Sequence, residues 1–231
     1  MHKIYSDSTK KPLGRLLEIV TKVYGWYLKN AFVTYQPVIV GSKLYGGVRP
    51  TIDRWGLIKK EIEPKSSVLD IGCAEGLFTL LTARDLHCVS LGVDIDRRRL
   101  AFAQYQLLSQ SVENAGFIYA ECTIEFISKL PKFDYVIFLS IFHHLTARYG
   151  IDYSKEFLTE VRRHTKKAMF FETGLSREET RTTKKIPDMG KDYKTWLTEL
   201  ILSTGWSRIE TLGESPSYAR DASRPILKVC P

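Results

Sequence analysis

The sequence predicts an α/β fold: a seven-stranded, mostly parallel, doubly wound sheet with an antiparallel last strand, preceded by an N-terminal helical extension. Three observations carry this. From residue 66 onward, short continuous apolar runs alternate with segments of helical period, the pattern of parallel strands covered on both faces. The last two apolar runs, "WSRIETLG" and "RPILKVC", have only a short Ser- and Pro-rich stretch between them, too little for a parallel crossover. The first 62 residues differ in charge and periodicity from the rest, so the chain divides into an extension over 1–62 and a main domain over 63–231.

In chain order, Leu13, Leu16, Leu17, Val20, Tyr24, Tyr27 and Ala31 recur at helical spacing over 12–32, with Lys22 and Lys29 off the stripe. Residues 35–50 are punctuated by Gly and Pro and read as a loop. Residues 51–62 read as a short amphipathic helix with Thr51 as N-cap and Ile52, Trp55, Ile58 and Ile62 on one side. Then come strand "SVLDIG", helix "GLFTLLTARDL", strand "CVSLGVDID" and helix "RRLAFAQYQLLSQ". Strand "GFIYAEC", helix "IEFISKL" and strand "FDYVIFLSI" follow. Helix "SKEFLTEVRRHT", strand "KAMFFET" and helix "KDYKTWLTELILSTG" precede the final strand pair.

The chain has 231 residues and 44% hydrophobic residues, enough for one domain with a sizeable core. Its net charge of +8 is unevenly placed. Residues 1–60 hold 11 Lys and Arg against 3 Asp and Glu, whereas residues 61–231 hold 23 of each. The basic element is thus an appendage, read either as a helix packed on the main domain or as one that lies, through residues 1–32, at an anionic membrane surface or against a partner. No apolar run approaches a membrane span, and the N-terminus lacks a signal-peptide core, so a cytoplasmic enzyme is expected, either free or peripheral at the inner membrane. Four scattered cysteines without a CxxC pair point to reduced thiols rather than disulfides or a metal site.

The chemistry begins at the turn in "SVLDIGCAEGLFTLLTA" (67–83). Gly72 and Gly76 let the backbone turn and approach a ligand, and a helix N-terminus follows. Ala74 stands where a nicotinamide-binding turn has its second glycine, which argues against an oxidoreductase. Asp70 inside the turn would repel a pyrophosphate but favours an ammonium. Asp94, ending the second strand, is placed to accept both hydrogen bonds of a ribose diol. A ligand with a ribose, an ammonium and a carboxylate, and no phosphate, is S-adenosylmethionine.

"VLDIGCAEG", "GVDID" and "FDYVIFLSIFHHL" resemble the first, second and fourth motifs of class I S-adenosylmethionine-dependent methyltransferases, which have a Rossmann-like fold. "SIFHHL" and "YQP…RPTIDRW" are similar to O-antigen chain-terminating methyltransferases and other polysaccharide-modifying members. The resemblance implies that Asp70, Gly72, Cys73, Ala74 and Gly76 shape the methionine end of the site. It implies that Asp94 takes the ribose hydroxyls, that Ile95 lies against the adenine, and that Leu139 and Ser140 border the sulfonium. Where many members place an acid for the adenine amine, this chain has Cys122, with Glu121 beside it.

Methyl transfer from a sulfonium needs mainly orientation and exclusion of water, with a base when the acceptor is a hydroxyl. His144 and His143, just past the fourth strand, and Glu172, at the end of the fifth, are the candidate bases. Arg49 or Arg54 could pair with the methionine carboxylate or an acidic substrate. "RRR" at 97–99 reads as a solvated face. Residues 35–55 and 174–195 are expected to build the acceptor pocket, with "SREETRTTKKIPDMGKD" covering it. The expected acceptor is a glycan, a lipid-linked sugar or another small molecule. An RNA methyltransferase is the alternative, supported by the basic pI of about 9.2 but lacking an Asn/Asp-Pro-Pro-aromatic string and a stacking module. A non-catalytic scaffold is disfavoured by the intact acid and glycine positions.

Overall fold

The computed structural model describes residues 34–40, 42–49, 51–217 and 223–231, together with Ile19 and Val23. The helix expected over 12–32, and with it the proposed membrane contact, otherwise lies outside the described residues.

A short hairpin comes first, β1 (Val38–Val40) against β2 (Lys43–Tyr45). The Gly- and Pro-punctuated stretch is therefore not wholly loop. Val38 is fully buried, and the Ile39 N–H donates to Gln106 Oε1 at 2.7 Å, so tertiary contacts stabilise a strand too short to form alone. Helix α1 (Thr51–Ile58) follows, extended by a 3₁₀ turn at Lys59–Glu61. Trp55, Ile58 and Ile62 of the expected stripe are buried, joined by Thr51 and Arg54, whereas Ile52 is exposed. Thr51 does not cap the helix; its hydroxyl donates to the Arg49 carbonyl.

The main domain runs β3 (Ser67–Ile71), α2 (Leu77–Leu86), β4 (Val89–Asp94), α3 (Arg97–Ser109), β5 (Ala115–Tyr119) and α4 (Ile124–Ser128). It continues with β6 (Phe133–Leu139), α5 (Phe142–Tyr149), α6 (Ile151–Arg163), β7 (Thr165–Glu172), α7 (Tyr193–Leu202), β8 (Arg208–Pro216) and β9 (Ser223–Cys230). Helix α5 was not foreseen; it carries both histidines and ends at Gly150, where α6 begins. The 176–192 stretch, read as a covering loop, contains two 3₁₀ turns, at Ser176–Glu178 and Thr183–Lys185.

The sheet order is β5-β4-β3-β6-β7-β9-β8. β3 pairs in parallel with both β4 and β6, and β9 alone is antiparallel to its neighbours β7 and β8. The last strand is thus inserted beside β7, and β8 is left at the edge. This is the doubly wound, Rossmann-like sheet of seven strands that the sequence predicts.

Strand period divides the core into two layers. On β6, Val136 and Phe138 join Phe142, Phe157 and Phe171 on one face, while Tyr135, Ile137 and Leu139 join Ile58, Leu77 and Phe78 on the other. On β7, Met169 and Phe171 take the first face and Ala168 and Phe170 the second. Asp70 and Glu172 continue the second set at their strand tips, toward α1 and the segment before it. All four cysteines are free thiols.

Candidate cofactor and acceptor site

A cavity of about 830 Å³ opens beyond the C-terminal ends of β3, β4 and β6, where the strand order reverses. Asp70, Gly72, Ala74, Asp94, Ile95 and Leu139 line one part of it. The turn that shapes this part follows from its backbone. Gly72 has φ +72°, and a Cβ there would lie 2.2 Å from Ile141 Cδ1. Ala74 at φ +50° is the one residue of the turn that takes the left-handed region with a side chain. The N–H groups of Gly72 and Cys73 donate to the Val93 carbonyl, tying the turn to β4.

Asp70 is buried, and its Oδ2 accepts from the Thr79 hydroxyl at 2.7 Å. Burial pushes its carboxyl up to about 7, against the hydrogen bond from Thr79 and with the help of the Asp94 charge. Asp94 accepts the Ala74 N–H on Oδ2 and the Asp96 N–H on Oδ1, each at 2.8 Å. Among the described residues neither carboxylate has an ion-pair partner. Two carboxylates on adjacent strand tips, facing one cavity with no cation of the protein against them, fit a cationic ligand with a diol and would repel a phosphate.

Several expected residues sit behind this wall. Cys73 is fully buried, and its thiol is pushed well up by burial and by the Asp70 and Asp94 charges. Gly76, at φ +75°, is pressed against Phe117 and Ala103 and starts α2. Neither lines the cavity. Cys122 and Glu121 do. The Cys122 thiol is pushed up to about 12, chiefly by burial and then by Asp94, so it is a neutral group. Glu121 is engaged by Arg148 at 2.8 Å and by the Tyr149 hydroxyl.

Among the candidate bases, His144 lines the cavity. Burial, then Arg224 and Arg99, lowers its pKa, so its imidazole is neutral at pH 7. His143 points elsewhere: it is buried, and its Nδ1 accepts the Gly174 N–H at 3.0 Å. That bond places its proton on Nε2, and burial drives its pKa far below the usual range. It therefore fastens the start of α5 to the segment after β7. The two ring centroids lie 4.3 Å apart, with the planes tilted by 35°.

Glu172 is fully buried and does not line the cavity. It meets Arg54 at 2.8 Å, Arg224 at 2.7 Å and Arg49 at 3.8 Å, and accepts from the Ser140 hydroxyl. Glu172 thus organises a buried cluster that Glu178 completes through Arg224. Three guanidinium groups face two carboxylates there, leaving one positive charge in excess. Arg54, Ser140 and Tyr35 present this cluster to the cavity. Arg49 stands one layer back, donating to Ser140 Oγ at 3.0 Å and to Tyr35 Oη at 3.1 Å.

Other contributors were not anticipated. Glu75 accepts the N–H groups of Tyr35 and Gln36, both at 2.9 Å, and Gln36 Oε1 accepts the first N–H of α2, that of Leu77. The segment before β1 is thereby clamped onto the turn, and Tyr35 and Gln36 become cavity wall. Arg97 and Arg98 are exposed, as the solvated-face reading expects; the half-exposed Arg99 also lies 5.2 Å over the Tyr35 ring and lines the cavity. Glu75 adjoins the glycine turn and could have been suspected; Arg224 and Gln36 had no local signal.

Fold and site together define a class I S-adenosylmethionine-dependent methyltransferase domain, with S-adenosylmethionine as its cofactor. Comparison with known families agrees: residues 69–170, from β3 into β7, match the profile described as a methyltransferase domain. A search of curated protein sequences finds no match. Among solved structures, the chain is similar to the bifunctional kinase-methyltransferase WbdD, with 25% identity and a TM-score of 0.69 over 80% of this chain. It spans 40% of the length of that WbdD chain. Magnesium protoporphyrin IX methyltransferase (ChlM) from Synechocystis PCC 6803, solved with bound S-adenosylmethionine, shares the fold at 17% identity and TM-score 0.56, over 78% of this chain and 76% of its own. The N-terminal domain of EvdMO1, solved with S-adenosylhomocysteine and D-fucose, shares it at 18% identity and TM-score 0.62, over 100% of this chain and 99% of its own. Among the described residues no helix is long and apolar enough to cross a membrane, and no three His, Cys, Asp or Glu side chains cluster as a metal site.

Proposed function

We propose that the enzyme methylates an oxygen of a glycan, lipid-linked sugar or similar small molecule carrying an anionic group. One observation carries this reading: the cavity that has Asp70 and Asp94 on one wall has His144, Arg181 and Lys185 on another. Among the described residues, Arg181 and Lys185 have no ion-pair partner. The likeness to WbdD, a kinase-methyltransferase, supports the methyl-transfer part of this reading.

The bound cofactor supplies a methyl group already activated on a sulfonium. Asp70 would hold its ammonium, Asp94 its ribose hydroxyls and Ile95 its adenine face. Arg54, which faces the cavity, with Arg49 behind it, would balance its carboxylate. Ser140 and Leu139, at the β6 tip, would border the reacting centre. Neutral His144 would take the proton from the acceptor hydroxyl, while Arg181 and Lys185 hold the acceptor's negative charge. The basic excess of residues 1–60 supports docking at an anionic membrane surface.

The test is label transfer from methyl-labelled S-adenosylmethionine into fractionated cell extract. Label in acidic glycan or glycolipid fractions is expected. Label confined to RNA would overturn the reading in favour of a nucleic-acid acceptor.

A further inference from the structure

The segment 174–187 presents Arg181, Thr182 and Lys185 to the cavity, yet it contains no regular element longer than a 3₁₀ turn. Near its ends, Leu175, Ile186 and Met189 enter the apolar core. Between them the polar anchor is Glu178. Its Oε1 accepts the Leu175 N–H, and its Oε2 accepts the Ser217 hydroxyl at 2.7 Å.

Arg224 grips that carboxylate from both sides. Its Nε donates to Glu178 Oε1 at 2.7 Å and its Nη2 to Oε2 at 2.6 Å, the paired geometry that a planar guanidinium makes and an ammonium does not. Its remaining nitrogen, Nη1, donates to Glu172 Oε1 at 2.7 Å and lies 3.4 Å from Ser140 Oγ. One buried side chain on β9 therefore joins the acceptor-facing segment to the tips of β6 and β7. The antiparallel insertion of β9 beside β7 is what brings residue 224 there.

We infer that Arg224 is a positioning residue for the acceptor: by bridging Glu178 and Glu172 it sets the 174–187 segment at a fixed distance from Ser140 and the cofactor floor. This rests on the reading that the acceptor lies against Arg181 and Lys185. The cofactor carboxylates, Asp70 and Asp94, make no contact with the bridge, so loosening it leaves cofactor binding intact. Because the segment's ends stay packed in the core, the loss falls on its cavity-facing middle.

The full chain is compared with its Arg224→Lys and Glu178→Gln variants and the double variant. Three quantities are measured: affinity for S-adenosylhomocysteine by calorimetry, the rate of tryptic cleavage after Arg181, Lys184 and Lys185 with S-adenosylhomocysteine bound, and KM and kcat for label transfer to the most strongly labelled extract fraction. Each single variant is expected to keep cofactor affinity within about twofold, raise cleavage about tenfold and raise acceptor KM about tenfold with a smaller drop in kcat. The double variant is expected to be no worse than the singles, since both cut the same link.

Unchanged cleavage and KM in both singles overturn the proposal. So does loss of cofactor binding together with cleavage throughout the chain, which marks Arg224 as merely structural. Should Arg224→Lys fail to fold, Glu178→Gln decides alone, because it leaves the Arg224–Glu172 pair in place. Faster cleavage with unchanged acceptor KM overturns the positioning role but not the enzyme's activity. If the parent labels no fraction, the functional reading fails instead, and the cleavage ratio still decides the bridge.

Discussion

Asp70→Asn should make the empty protein more stable while weakening its hold on the cofactor. In the folded state burial raises the Asp70 carboxyl from 3.8 to about 7. Between those two values the folded protein keeps a proton that the unfolded chain releases, so stability falls as pH rises through the window. A shift of about 3 pH units corresponds to about 4 kcal/mol of lost stability once pH exceeds 7. Asparagine offers no charge to desolvate, and its carbonyl still accepts the Thr79 hydroxyl, so the variant should recover most of this. For a chain of this size that is roughly 8–16 °C in Tm at pH 8. Glu178 and Asp134 are held below their ordinary values and cost stability in acid instead, so the quantity to follow is variant minus parent. Thermal unfolding without cofactor, from pH 4 to pH 8, should show a difference near zero at pH 4 that grows to its full size by about pH 7. A variant less stable than the parent at pH 8, or a difference independent of pH, would refute the reasoning. Calorimetry with S-adenosylhomocysteine should then show weakened binding in the variant, and in the parent an affinity that rises toward pH 7 as Asp70 ionises.

The two histidines should separate. His144→Ala should lower kcat by about 10²–10⁴-fold with little change in Tm, and the parent's kcat at saturating cofactor should hold level from pH 8 to about 6.5 and fall only below that, since the His144 pKa is lowered. His143→Ala should instead lower Tm, because it strands the Gly174 N–H, a loss of about 1–3 kcal/mol, with activity per folded molecule largely kept. Glu75→Ala should cost about 2–3 kcal/mol by leaving the Tyr35 and Gln36 N–H groups without their acceptor, and hydrogen exchange should show those two amides losing protection before the β3 core.

The sheet and the glycine turn that lines the cavity were legible because their signals are local. Continuous apolar runs separated by helical periods specify parallel strands, and Asp70, Gly72 and Asp94 each stand at a strand end that the same pattern locates. The β1–β2 hairpin was not legible: three-residue strands carry no period, and what holds Ile39 is Gln106, far along the chain. Helix α5 was hidden because "FHHLTARY" continues an apolar strand with no cap ahead of it; Ile141 caps nothing with its side chain. Residues around Glu172 were misjudged for a deeper reason. A glutamate at a strand tip reads as a base until Arg49 and Arg54, from far upstream, and Arg224, from near the chain's end, are seen to close on it.

The ribose contact proposed for Asp94 can be tested in one thermodynamic cycle: calorimetric titration of the parent and Asp94→Asn proteins with S-adenosylhomocysteine and with its 2′-deoxy analogue. A carboxylate that holds the sugar diol predicts that removing either partner weakens binding roughly 10–100-fold, and that removing both weakens it no further. Equal losses for the missing hydroxyl in parent and variant would show that Asp94 does not touch the ribose, and the cofactor geometry built on it would be contradicted.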